Sequence, residues 1–260
     1  MVLLDGPVGE RLQEAGHDAS APEWSARVLR SAPSAIAALH REYAEAGCDV
    51  HRANTFRTTR RACGDDWKGL AQLAVKLARA EADGARVAGS LGPLEDCYRP
   101  DLAPPDTREE HAELARLIAP DVDFFICETF PSPREARETV EAAVATGRET
   151  WVSFTAGPDG TLLTPQQVQV AARDCVQAGA RAVLVNCIAA ELTLPYVEAL
   201  SKAGVPFGAY ANASRWNEPP CSPQRYAELA ATWVAAGATI IGGCCGTRPE
   251  HLRELARRLR

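Results

Sequence analysis

Short apolar runs alternate with longer amphipathic segments along the whole chain, eight times and without remainder. The runs are Val2 to Leu4, Val50 to Ala53, Arg86 to Ser90, Phe124 to Cys127, Trp151 to Phe154, Ala182 to Val185, Phe207 to Tyr210 and Thr239 to Ile241. They are continuous rather than alternating, which is how strands buried on both faces read. The intervening segments carry apolar residues at helical spacing, such as Ile36, Leu39, Tyr43 and Ala46, then Leu70, Leu73, Leu77 and Ala80. Glycines such as Gly47, Gly179, Gly204 and Gly237 close them. Eight strand–helix units in a chain of 260 residues predict an α/β fold, a single-domain (β/α)8 TIM barrel over residues 1–260. A doubly wound sheet shares the local pattern, but no Gly-x-Gly-x-x-Gly follows a strand.

Composition narrows the function. With 28 Lys and Arg against 34 Asp and Glu, the net charge is −6, which argues against a general nucleic-acid binder. No apolar run approaches the roughly 20 residues of a membrane span. The start lacks the basic and apolar regions of a secretory signal, so a reducing, cytoplasmic setting is expected. Nine cysteines therefore do not imply a disulfide framework; they are packing residues, metal ligands or nucleophiles.

Function in a barrel sits where strands end. Those positions carry Asp5, Asn54, Thr55, Glu128, Ser153, Asn186, Cys187, Tyr210, Asn212, Cys244 and Cys245. Strands six and eight share parity and point side chains into the same layers, so Cys187 can meet the adjacent pair Cys244 and Cys245. Three thiolates with one position left open are a ligand set for catalytic zinc. Gly242, Gly243 and Gly246 give the backbone freedom for consecutive cysteines to face one ion. A nucleophilic cysteine is the competing reading, but no histidine offers itself as a base. His17, His40, His111 and His251 are expected on helices or at the periphery, and only His51 lies near a strand end. Cys48, Cys63, Cys97, Cys127, Cys175 and Cys221 read as packing residues.

These motifs resemble the zinc-dependent homocysteine S-methyltransferase family. The matching pieces are Leu4-Asp5-Gly6 with Gly9, Ala46 to Val50 leading to Asn54-Thr55-Phe56, Gly92-Pro93, Glu128-Thr129, Asn186-Cys187, Tyr210-Ala211-Asn212, and Gly242-Gly243-Cys244-Cys245-Gly246-Thr247 followed by Pro249-Glu250-His251. They run in family order through the chain. The resemblance implies a TIM barrel in which Cys187, Cys244 and Cys245 bind Zn2+ and the homocysteine sulfur takes the fourth position. It matches Asp5, Gly6 and Glu128 to positions holding the amino acid's ammonium and backbone groups, and Asn186 to a residue beside the first ligand.

Trp24-Ser25-Ala26 with Leu29, Pro33, His40 and Tyr43 looks most like the branch that uses S-methylmethionine or S-adenosylmethionine. Betaine, a methyl-corrinoid or a methylfolate are alternative donors, another thiol or selenol is an alternative acceptor, and a non-enzymatic zinc-thiolate sensor is a reading from a different class. Thr55 and Arg57 complete the expected substrate set; a planar guanidinium at Arg57 suits a donor carboxylate. The expected partners are homocysteine and a small methyl donor, with no nucleic acid and no membrane, in a monomer or homodimer. Short loops after strands two and three mark the donor side as this chain's own.

Overall fold

The computed structural model describes residues 1–215 and 217–260. Eight parallel strands form one sheet: β1 (Val2–Leu3), β2 (Val50–Arg52), β3 (Arg86–Leu91), β4 (Phe124–Phe130), β5 (Glu149–Phe154), β6 (Ala182–Ala189), β7 (Phe207–Asn212) and β8 (Ile240–Gly243). From β2 to β8 each strand pairs with the next in sequence, and β1 pairs with β8. A parallel bridge from Leu4 to Val50, supported by hydrogen bonds from Asp5 N to Val50 O and from Asp49 N to Leu3 O, brings β1 against β2 and closes the barrel. A single domain of alternating strands and helices is thus what the apolar runs predict, and the doubly wound alternative is excluded.

Helices follow the strands on the outside. The first loop carries α1 (Gly9–Glu14) and α2 (Ala26–Ser31) before α3 (Pro33–Glu45). After β2 come α4 (Arg60–Cys63) and α5 (Trp67–Glu81), and then α6 (Arg108–Ile118), α7 (Pro133–Val144), α8 (Pro165–Gln177), α9 (Leu194–Leu200), α10 (Pro223–Ala235) and α11 (Pro249–Leu259) complete the ring. Proline in the first turn opens α3 and α7 through α11, where its missing N–H costs nothing. Ser132, Thr164 and Ser222 cap their helices by accepting an N–H three residues on. The polar stretch after β1 reads as loop in the sequence yet holds α1 and α2. Each has only 6 residues, too short to show a helical period.

Two apolar layers result. Leu4, Val50, Ala88, Phe124, Ile126, Trp151, Ala182, Leu184 and Ile240 fill the barrel, while the larger cluster lies between strands and helices. Cys48, Cys63, Cys127 and Cys175 are buried in that outer cluster and Cys221 packs against it, as small apolar residues do. His40, His111 and His251 lie on helices α3, α6 and α11 as expected and His51 on β2, but all four are buried, which corrects the peripheral part of the reading. Among the described residues, no helix is long and apolar enough to cross a membrane.

Candidate active site

The barrel's apolar filling stops at its C-terminal mouth, where Ser90, Glu128, Ser153, Asn186 and Tyr210 replace it, all buried. These five follow the strand period from apolar residues below them, as Glu128 follows Ile126 and Asn186 follows Leu184. They are hydrogen-bonded to one another: Ser90 Oγ donates to Glu128 Oε1, Tyr210 OH to Glu128 Oε2 at 2.9 Å, and Ser153 Oγ to Asn186 Oδ1 at 2.7 Å. Asn186 Nδ2 donates to Thr129 Oγ1 at 2.8 Å.

Two strands break their register here. The β4–β5 pairing shifts between Cys127 and Phe130, and the β6–β7 pairing between Asn186 and Ala189. Inside each shift a non-glycine residue takes a left-handed conformation, Thr129 at φ 67° and Cys187 at φ 52°. Such a conformation costs of order 1–3 kcal/mol and persists where surrounding structure over-determines it. The consequence at β6 is that Asn186 and Cys187, neighbours in sequence, both face the cavity, which plain alternation forbids.

Cys187 and Cys244 bring their sulfurs to 2.8 Å, and the sulfurs of Cys187, Cys244 and Cys245 all lie within 4.8 Å of one another. The glycine frame makes this possible. A Cβ on Gly243 would lie 2.2 Å from Thr247 Oγ1, and one on Gly242 would lie 2.7 Å from Leu4 Cβ. Thr247 Oγ1 uses that space to donate to Cys244 O at 2.7 Å. Gly246 sits at φ 78° and turns the chain into α11. Thiols from Cys187 and Cys245 hold Cys244 well below the ordinary thiol range, with the Arg52 charge adding to the effect. Cys187 is pushed up by the hydrogen bond it gives Cys244 and by burial. Cys244 is thus the thiolate that the other two stabilise. Three convergent sulfurs, one of them predisposed to ionise, are the donor set of a single zinc ion; tetrahedral Zn–S bonds of about 2.3 Å would require Cys187 and Cys244 to part slightly from their 2.8 Å contact.

Arg52 is the residue that sequence reasoning missed. Its guanidinium lies 8% exposed between two carboxylates. Nε donates to Asp5 Oδ1 at 2.6 Å and Nη1 to Glu128 Oε2 at 2.9 Å. Nη2 donates to the carbonyls of Asp5, Gly6 and Gly243 at 3.0, 3.0 and 3.2 Å. The Tyr210 ring stacks 4.6 Å from its central carbon. Asp5 also accepts the Arg52 N–H at 2.9 Å. The signal was available: Arg52 is a full charge inside the apolar run Val50 to Ala53.

A cavity of about 180 Å3 opens above this layer, lined by Gly6, Arg52, Ser90, Glu128, Asn186 and the three cysteines, with Trp24, Phe56 and Tyr98 on its upper walls. A second cavity of about 470 Å3 shares Gly9, Glu10, Trp24, Tyr98 and Cys245 with it and extends to Gln13, Asn212 and Glu218. Of the expected substrate residues, Gly6, Glu128 and Asn186 line the smaller cavity. Asp5, Thr55 and Arg57 do not. Asp5 is 0% exposed behind Arg52. Thr55 Oγ1 ties β2 to β3 by donating to Ser90 O and accepting from Ser90 N. Arg57 is 5% exposed; it donates to the carbonyls of Pro93, Leu94 and Glu95 and stacks on Trp24 and Phe56. The fork expected to meet a donor carboxylate is instead spent on the loop after β3.

Residues 2–259 match the model of the homocysteine S-methyltransferase family. The chain belongs to that family. It is a methyltransferase acting on the thiol of homocysteine, and the non-enzymatic sensor reading falls. Homocysteine S-methyltransferase YbgG of Bacillus subtilis (strain 168) is 28% identical over 98% of this chain and 93% of that protein. Betaine–homocysteine S-methyltransferase 1 of Bos taurus is 26% identical over 100% of this chain and 72% of its own length. S-methylmethionine–homocysteine S-methyltransferase BHMT2 of Rattus norvegicus is 28% identical over 91% and 72%. The metallated form of the homocysteine methyltransferase MmuM from Escherichia coli superposes with a TM-score of 0.81 at 25% identity, over 99% of this chain and 96% of that one.

Proposed function

We propose that this homocysteine S-methyltransferase is zinc-dependent and takes its methyl group from a small sulfonium donor, S-methylmethionine or S-adenosylmethionine, forming methionine. The observation that carries the reading is the convergence of Cys187, Cys244 and Cys245 on a cavity whose opposite wall is an Arg52–Glu128 ion pair. The three cysteines would hold the ion. When bound, zinc supplies a deprotonated, oriented thiolate at neutral pH, where a free thiol is mostly protonated.

The chain's own residues do the remaining work. Glu128, held by Ser90, Arg52 and Tyr210, presents negative charge to the acceptor's ammonium. Asn186 donates to Cys187 Sγ at 3.3 Å, which steadies that sulfur's charge. Trp24, Tyr98 and Glu10 border the passage from the larger cavity to Cys245, and aromatic faces with a carboxylate suit a cationic donor. In the transfer, a sulfur lone pair of homocysteine forms the new S–CH3 bond. The donor's C–S bond breaks, its electron pair stays on the leaving sulfur, and that sulfur leaves neutral. The thiol proton has gone to solvent beforehand, so no strong general acid is needed. Betaine is also an onium ion and fits the same wall as an alternative donor.

The test is metal analysis coupled to a donor panel. One zinc per chain is expected, with methionine formed best from a sulfonium donor and both lost together in Cys245→Ser. A zinc-free triple serine variant with full activity overturns it.

A further inference from the structure

We propose that Arg52 takes the carboxylate of the acceptor beside the Glu128 that meets its ammonium, so that Arg52 sets acceptor specificity; this rests on homocysteine as acceptor. Of the charged groups at the strand ends, Asp5 is sealed behind Arg52 while Arg52 and Glu128 line the smaller cavity; Glu10 of α1 also lines it, with its carboxylate accepting from Gly246 N. They form an ion pair at 2.9 Å with the guanidinium pinned on its far side by Asp5. An amino-acid head carries the same two charges at similar spacing in the opposite order. Laid against the pair, each of its charges meets an opposite one in a water-poor setting, where charge-assisted bonds are strong.

The donor count supports this. Nη2 is spent on three carbonyls and Nε on Asp5. Nη1 gives one hydrogen to Glu128, and among the described residues its second hydrogen has no acceptor. Glu128 likewise keeps one lone-pair site, on Oε1, beyond the three bonds it accepts. An apolar side chain at residue 52 would continue the barrel's filling. A buried arginine there needs its partners to offset a large desolvation cost, and Asp5 with the carbonyls of Asp5, Gly6 and Gly243 supplies them. Arg52 is therefore a specificity residue for the acceptor, and Asp5 a positioning residue acting through it.

The experiment compares three thiols with one donor: homocysteine, 3-aminopropane-1-thiol, which lacks the carboxylate, and 4-mercaptobutanoic acid, which lacks the ammonium. The wild-type zinc-loaded enzyme is expected to show kcat/KM lower by roughly a hundredfold for each truncated thiol. Arg52→Met is expected to erase the preference over 3-aminopropane-1-thiol while keeping that over 4-mercaptobutanoic acid. Arg52→Lys, which keeps the charge but not the fork, is expected to shrink the first preference at least tenfold and serves if the methionine variant does not fold. Equal use of homocysteine and 3-aminopropane-1-thiol by the wild type overturns the proposal, as does an equal fall on all three thiols in both variants. An enzyme that methylates the truncated thiols but not homocysteine removes the acceptor reading itself.

Discussion

Cys187 and Cys244 place their sulfurs 2.8 Å apart although 57 residues separate them in sequence. Strand parity alone does not achieve this. Plain alternation would turn Cys187 outward from Asn186, and the left-handed backbone at Cys187 turns it back. On β8 the glycine pair before Cys244 lets Thr247 pack against the strand end and hold the Cys244 carbonyl.

Each zinc-ligand candidate should then be individually required. Cys187→Ser, Cys244→Ser and Cys245→Ser are each expected to lower methyl transfer by roughly a thousandfold or more. A folded serine variant, checked by thermal melting, that keeps more than a tenth of the activity removes its residue from the ligand set.

Metal removal has a second consequence. In chelated protein exposed to mild peroxide, Cys187 and Cys244 are expected to form a disulfide, because their sulfurs already touch and Cys244 is the ionised partner. Peptide mapping should find this bridge ahead of any other, and dithiothreitol with added zinc should restore activity. A bridge confined to other cysteines contradicts the geometry.

Arg52 also contributes to the fold. Arg52→Met leaves the Asp5 carboxylate buried without its cation, at a cost of about 3–5 kcal/mol. Asp5→Asn in the same chain should recover part of that loss, so the double-mutant cycle should show a coupling of at least about 1 kcal/mol. Additive losses in denaturant melts would show that the two side chains do not interact.

Stability should fall in acid through His40. Burial, opposed by Asp5, lowers its folded pKa from 6.5 to about 4. The unfolded chain therefore binds the extra proton first. The stability is present above pH 6.5, declines as the pH falls from there, and is fully lost below about 4, a change of roughly 3 kcal/mol. His40→Gln should flatten that slope in denaturant midpoints measured from pH 7 to 4.5. An unchanged slope contradicts the burial argument.

Arg57 is expected to hold the donor side by structure. Losing three hydrogen bonds to backbone carbonyls, Arg57→Ala should destabilise by about 1–3 kcal/mol and expose the loop at 93–95 to proteolysis. The homocysteine KM should stay within about twofold. A stable variant with an intact loop and a raised KM for carboxylate-bearing donors alone restores the clamp role.

The barrel was legible because eight buried runs and their capped helices each obey a local rule. The cysteine cluster was legible because three thiols stand at the ends of β6 and β8 and two of them follow a glycine pair; the contacts with Leu4 and Thr247 that require those glycines are tertiary and were not. The acidic floor was read only in part. Glu128 and Asp5 stand at strand ends, but burial of Asp5 behind Arg52 depends on a guanidinium crossing the barrel, which no local pattern encodes. Arg57 followed the same logic in reverse: a planar fork beside a mouth looks like a ligand clamp until tertiary contacts show both of its Nη atoms donating to the loop after β3. His40, His111 and His251 were placed on helices, but their burial was missed because helix faces that pack on the strands bury polar residues along with apolar ones.

The most direct measurement supplies the zinc-loaded protein with homocysteine and S-methylmethionine or S-adenosylmethionine carrying a labelled methyl group. Labelled methionine should appear in step with loss of free thiol, and should vanish in the Cys187→Ser, Cys244→Ser, Cys245→Ser variant. No labelled methionine from either donor, or equal amounts from the wild type and the triple variant, would contradict it.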